Sequence, residues 1–158
     1  MAKSHSGLSR FSFGATSAVT SSLVLMVGLN QLGVSGVGMI GALLVIGLAD
    51  NIADSLGVHI YSESKSKNYT TVDTVTNYLT RLGITMVPIA FVIFLPMNYA
   101  IIASVIVGLA VLAVLSYLIA KAHKLNPYRM VAEHLVVAGL ALAVSLLVGS
   151  SIKALFHI

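Results

Sequence analysis

The chain has 158 residues, of which 58% are hydrophobic and only 9% are charged, and its mean hydropathy is +0.99. Soluble domains carry about 25% charged residues, so this composition excludes an ordinary soluble protein and predicts one bundle of membrane-spanning helices. Cysteine is absent, which excludes disulfides and thiolate metal sites, and the net charge of +4 is spread over short polar segments, a pattern that fits membrane topology rather than nucleic-acid binding.

The hydropathy pattern predicts an all-α membrane protein with five transmembrane helices in a single domain, residues 1–158. The predicted spans are residues 13–31, 39–61, 82–95, 100–120 and 131–152. The third is short for a bilayer, which needs about 20 residues. Its polar flank can extend it as an amphipathic helix, with Val72, Val75 and Leu79 on one side.

Small residues recur every fourth position in three of these spans, and such stripes let two helix backbones approach closely. We interpret all three as packing faces, although the first could also line a polar pathway. The fourth span is almost purely aliphatic and is expected to face lipid. The stripes are Gly14, Ala18 and Ser22, then Ala49, Ala53 and Gly57, and finally Ala141, Ser145 and Gly149.

Asp50 and Asp54 are the main candidates for a functional site, because they lie one helical turn apart inside the apolar second span. A carboxylate at this depth costs about 2.5 to 3.5 kcal/mol on insertion scales, and no basic residue is predicted at matching depth. Together with Asn51, the pair offers oxygen ligands that suit divalent cations such as Fe(II) and Mn(II). Cation binding would expel protons from the pair, as proton-coupled transport requires.

Three further residues are weaker candidates. His59 could be an extra ligand, a proton relay or an ordinary hydrogen-bonded histidine. Glu63 could attract cations at the mouth of the second span or be simply solvated, and Glu133 could take part in transport or favour the start of the fifth helix. Phosphate loops, a His-Glu-x-x-His motif and a serine nucleophile turn are all missing from the sequence, so no enzyme is predicted and no cofactor is expected.

The basic residues predict the orientation of the five-span arrangement. Eight fall on one side, and only Lys153 falls on the other. By the positive-inside rule, the N-terminus is cytoplasmic and the C-terminus is outside or luminal. The eight are Lys3, Arg10, Lys65, Lys67, Arg81, Lys121, Lys124 and Arg129.

Two segments of the chain resemble the vacuolar iron transporter family. Residues 13–28 (FGATSAVTSSLVLMVG) resemble the family's first helix, and residues 47–64 (GLADNIADSLGVHIYSES) resemble its second. In this alignment Asp54 matches a family aspartate and Asp50 replaces an asparagine. Ser17 stands where the family's first helix has an aspartate. The cytoplasmic metal-binding insertion of many members is missing between the second and third spans.

The resemblance implies a homodimeric, proton-coupled exporter of Fe(II) or Mn(II) from the cytosol, in a plasma or vacuolar-type membrane. Its site would comprise Asp50, Asp54 and Asn51. Two alternatives remain open: a non-transporting membrane scaffold that keeps the fold, and a carrier of another solute.

Overall fold

The computed structural model describes residues 2–65 and 70–157, and the regular elements in this part of the chain are all helices. Five of them are long and apolar enough to cross a membrane, as predicted. The elements are α1 (Ala2–Gln31), α2 (Gly36–Val45), a π-helical turn (Ile46–Asp50), α3 (Asn51–Lys65), α4 (Thr70–Phe94), α5 (Met97–Ala122) and α6 (Pro127–Phe156). The protein is therefore built as a multi-pass helical membrane protein.

The second span is made of α2, the π-helical turn and α3. The backbone stays right-handed helical at the junction residues Val45, Ile46 and Asn51, so the chain continues in one direction through the turn. Between α1 and α2 it reverses at Gly33, whose φ of 70° is the left-handed conformation that glycine adopts without steric cost. Asn126 caps α6 by accepting hydrogen bonds from the backbone N–H groups of Tyr128 and Arg129.

Helix α1 lies at the centre of the bundle and is the most buried of the five spans. It packs against α4, α5 and α6. The predicted stripe of Gly14, Ala18 and Ser22 is buried, which confirms its packing role. In α6, Ser145 and Gly149 are also buried, and the Ser145 hydroxyl donates a hydrogen bond to the Val24 carbonyl.

Two predictions about helix faces have different outcomes. Ala49, Ala53 and Gly57 are exposed, so within the described residues this stripe packs against no other helix of the same chain, and its role as a packing face stays a prediction. The prediction that the fourth span faces lipid is wrong for one side of α5, because residues spaced by four on that side are buried in the bundle. This stripe consists of Ala100, Ser104, Gly108, Leu112, Ser116 and Ala120.

The third span begins much earlier than the predicted residue 82. It runs over Thr71–Phe94, and the polar flank does extend it as an amphipathic helix. Val72, Val75 and Leu79 are exposed on its outer side. The remaining spans start and end within six residues of their predicted limits. The early start of α4 matters most, since it carries Arg81 into the bundle.

Candidate functional site: a buried arginine between two aspartates

Arg81 lies at the middle of the third span, and its side chain is only 1% exposed. It belongs to a polar stripe on the inner side of α4 that also contains Asn77 and Thr85, both buried. These three residues are spaced by four, so they lie on one face of the helix, opposite the exposed valines and leucine. The amphipathic pattern of α4 thus places a guanidinium inside the bundle.

The guanidinium contacts both predicted aspartates. Its Nη2 lies 2.9 Å from the Asp50 Oδ2 atom, and its Nη1 forms an ion pair with the Asp54 Oδ2 atom. Its Nε donates a 2.6 Å hydrogen bond to Asn51 Oδ1, and Nη1 also donates to the Ser17 hydroxyl. Ser17 in turn lies 3.3 Å from Asp54 Oδ2, to which it donates. Arg81 therefore joins α1, α4 and the second span.

The expectation that no basic residue lies at the depth of the aspartates is wrong. The sequence predicts a third span that begins at residue 82, which leaves Arg81 in the polar flank before it. The signal that could have corrected this is the four-residue spacing of Asn77, Arg81 and Thr85 opposite an apolar face. The prediction that Asp50 and Asp54 share one face is confirmed, since both contact the same guanidinium.

The cluster differs from a neutral ion pair in its net charge and in the partial exposure of its two carboxylates. Two carboxylates share one guanidinium, so with both acids ionised the cluster carries a net charge of −1. The side chains of Asp50 and Asp54 are 48% and 39% exposed, whereas Arg81 is buried. Both ion pairs use Oδ2 atoms, which leaves each Oδ1 atom outside them. The cluster therefore presents carboxylate oxygen at the surface of the chain.

The π-helical turn Ile46–Asp50 shapes the local geometry of the cluster. Such turns widen the helix and loosen its regular hydrogen bonding, and they are frequent at functional sites. Here the Asn51 side chain donates a 2.7 Å hydrogen bond to the Gly47 carbonyl, which fixes its amide with Oδ1 directed at Arg81. Asn51 is fully buried and belongs to the cluster through its bond to Arg81, and its role as a cation ligand stays a prediction. No residue pattern in the sequence predicts the π turn.

His59 and Glu63 form a separate group nearer the end of the second span. His59 Nδ1 lies 3.1 Å from the Thr74 hydroxyl, and Nε2 lies 3.5 Å from Glu63 Oε1. This arrangement is the ordinary hydrogen-bonded histidine among the predicted alternatives. None of the contacts described for His59 joins it to Asp50 or Asp54.

Glu133 lies away from the cluster, on α6. It forms an exposed ion pair with Arg129, with 2.7 Å between Arg129 Nε and Glu133 Oε1. Glu133 does not cap the helix, because Asn126 does so. The neighbouring His134 contacts the Ser116 hydroxyl at 2.6 Å and links α6 to α5.

Within residues 2–65 and 70–157, no three His, Asp or Glu side chains come together as a set of metal ligands. The cluster offers two partly exposed carboxylates, a donor set that suits transient binding of a hard cation rather than a resident metal. No protein-family model matches the chain, and a search of curated proteins finds no match.

Proposed function

We propose that this protein is a carrier of divalent cations coupled to protons, and that Asp50 and Asp54 are its exchange site. The observation that supports this best is the unequal charge of the cluster, two carboxylates against one guanidinium at mid-span. An excess negative charge at bilayer depth costs several kcal/mol unless a cation neutralises it. A proton or a metal ion can supply the positive charge that neutralises the cluster.

In this mechanism Arg81 holds the carboxylates together when no metal is bound. An incoming cation binds the carboxylate oxygens and weakens their pairing with Arg81, whose hydrogen bonds to Asn51 and Ser17 keep the guanidinium in place. Protonation of the carboxylates then releases the cation, because a protonated carboxyl group is a poor ligand. The proton and the metal ion thereby compete for one pair of side chains.

The resemblance to the vacuolar iron transporter family suggests Fe(II) or Mn(II) as the transported ion and export from the cytosol as the direction. Oxygen ligands agree with these hard or borderline cations and disfavour Cu(I). Ser17 replaces the family aspartate with a neutral hydroxyl, and Arg81 donates to that hydroxyl. The first-helix position thus still belongs to the site, as a hydrogen-bonding group.

The proposal includes a homodimer. The exposed small-residue stripe of Ala49, Ala53 and Gly57 lies on the same segment as the partly exposed Asp50 and Asp54. A second copy packed on this side would shield the carboxylates from lipid, which a charged group at this depth requires.

Flux measurements in proteoliposomes test the proposal. With Mn²⁺ on one side and a pH dye inside, the wild type is expected to move Mn²⁺ and protons in opposite directions. The double variant Asp50→Asn, Asp54→Asn should reduce both fluxes to the level of protein-free liposomes. Glu133→Gln removes one acid from an exposed ion pair and serves as the control that keeps full flux. Equal fluxes in the wild type and the double variant would refute the carrier.

A scaffold without transport is the second candidate, and the observation that favours it is that Arg81 already connects three parts of the bundle. Buried ionic networks can specify one arrangement of helices. A scaffold would show no cation flux in any variant, and only its stability would respond to changes at Arg81.

A further inference from the structure

An open groove of about 670 Å³ runs along α1 beside the carboxylate–arginine cluster. Its lining includes five hydroxyl side chains together with three apolar ones, and the hydroxyl residues are Ser12, Thr16, Ser17, Thr20 and Ser21. The lining spans residues 12–24 of α1, about 18 Å at 1.5 Å per residue. The groove therefore extends from one end of the span Phe11–Gln31 past its middle.

The groove adjoins the exchange site at Ser17. This residue lines the groove, and its hydroxyl contacts both Arg81 Nη1 and Asp54 Oδ2. A solute that follows the groove from the beginning of α1 reaches Ser17, whose hydroxyl donates to Asp54.

The hydroxyl groups in the groove present mainly acceptor atoms. Thr20 donates its proton to the Thr16 carbonyl at 3.0 Å, and Ser21 donates to the Ser17 carbonyl at 2.6 Å. A hydroxyl has one proton and two lone pairs, so these side chains have only lone pairs left to offer. The waters around a cation point their hydrogens outward and match such a surface. The waters around an anion point their oxygens outward and do not.

We propose that this groove is a water-filled vestibule through which hydrated cations reach Asp54 from the end of the bundle where α1 begins. The role of the vestibule in delivering cations for transport rests on the proposed function. Hydration and charge preference are properties of the groove itself and can be measured without transport.

Labelling of single cysteines tests the vestibule, and the chain supplies a cysteine-free background. Thr20→Cys and Ser21→Cys place thiols in the groove. Val137→Cys places one on the exposed side of α6, ten residues into its span, at a depth similar to that of Thr20. Leu125→Cys marks the loop at the end where α1 begins. Each variant is reconstituted in liposomes after size-exclusion chromatography confirms a monodisperse protein.

The reagents are a cationic trimethylammonium and an anionic sulfonate methanethiosulfonate. We expect the groove thiols to react with the cationic reagent at least about tenfold faster than Val137→Cys, from the side that labels Leu125→Cys. For each groove thiol, the rate with the cationic reagent divided by the rate with the anionic reagent should exceed the same ratio measured for mercaptoethanol, a free thiol in solution. Asp54→Asn, added to Thr20→Cys, should lower this ratio.

Groove thiols as slow as Val137→Cys would overturn the vestibule and indicate a face covered by lipid or by a second copy. A rate ratio equal to that of mercaptoethanol would overturn its preference for cations. Fast, cation-selective labelling without any flux would support the vestibule and refute the carrier, so the two proposals fail separately.

Discussion

Arg81 makes an acidic pair tolerable inside an apolar bundle. A planar guanidinium with five N–H donors can contact several acceptors at once, and here it contacts four side chains. A lysine has a single ammonium group and could not reach the same set. The residue type therefore follows from the number and spread of its partners.

Removing Arg81 should destabilise the protein strongly. Loss of one partner from a buried ion pair costs about 3–5 kcal/mol, and we expect Arg81→Met to fall near the lower value because the carboxylates are partly exposed. Thermal unfolding in detergent measures this change. Arg129→Met, which breaks an exposed pair, should leave the unfolding midpoint unchanged.

Adding Asp50→Asn and Asp54→Asn to Arg81→Met should recover much of the lost stability, because the triple variant buries no unbalanced charge. A triple variant no more stable than Arg81→Met alone would show that Arg81 acts through packing and not through its charge.

At the scale of the helices, the absence of a side chain at Gly149 of α6 allows α6 to approach the backbone of α1 closely. A Cβ atom at Gly149 would lie 2.7 Å from the Gly28 carbonyl oxygen, which is backbone and cannot rotate away. Gly139 lies in the same helix with nothing within 4 Å of such a Cβ. The two glycines thus differ in surroundings but not in secondary structure.

We expect Gly149→Ala to destabilise the protein by about 1–3 kcal/mol through overpacking. Gly139→Ala should be neutral or stabilising by up to about 1 kcal/mol, since alanine is the better helix former. Thermal unfolding of the two variants under identical conditions checks this, and equal midpoints would contradict the observed α1–α6 packing.

The helices also show what the sequence could predict. Long apolar stretches identified five spans, because hydropathy over about 20 residues is a strong signal. The sequence does not reveal the inner stripes of α4 and α5, for different reasons. In α4, Asn77 and Arg81 lower the average hydropathy, so the first half of the span is not recognised as membrane-spanning although its polar side faces the bundle. In α5, Ser104 and Gly108 are too few to distinguish a packed face from a lipid-facing one.

The candidate site was predictable only in part. An acidic pair in a span is conspicuous, so Asp50 and Asp54 were identified. Their partner is 27 residues further along the chain than Asp54, and only tertiary packing brings it to them. The π turn depends on a shift in backbone hydrogen bonds that no residue type specifies.

At the scale of the whole molecule, basic residues still predict the orientation after Arg81 is moved into the bundle. Six of the other seven lie at the end of the bundle where α1 begins, opposite Lys153, and Lys67 lies outside the described residues. The α5–α6 loop should therefore be cytoplasmic, and the α1–α2 turn should be outside or luminal.

Sided labelling of Leu125→Cys and Val37→Cys checks this orientation in intact cells. Both side chains are exposed, and three spans separate them. An impermeant maleimide should label Val37→Cys directly and Leu125→Cys only after permeabilisation. Labelling of both cysteines from outside would contradict the five-span arrangement. Direct labelling of Leu125→Cys alone would show that the orientation is the reverse of the predicted one.

The central claim is that metal ions and protons compete for the carboxylates beside Arg81, and proton release on metal binding measures it most directly. In weakly buffered detergent solution, Mn²⁺ added to the wild type should release protons as it binds, since the metal ion and protons compete for the same carboxylates. The double variant Asp50→Asn, Asp54→Asn should release none and bind Mn²⁺ at least about tenfold more weakly. Equal binding and equal proton release in the two proteins would contradict the account.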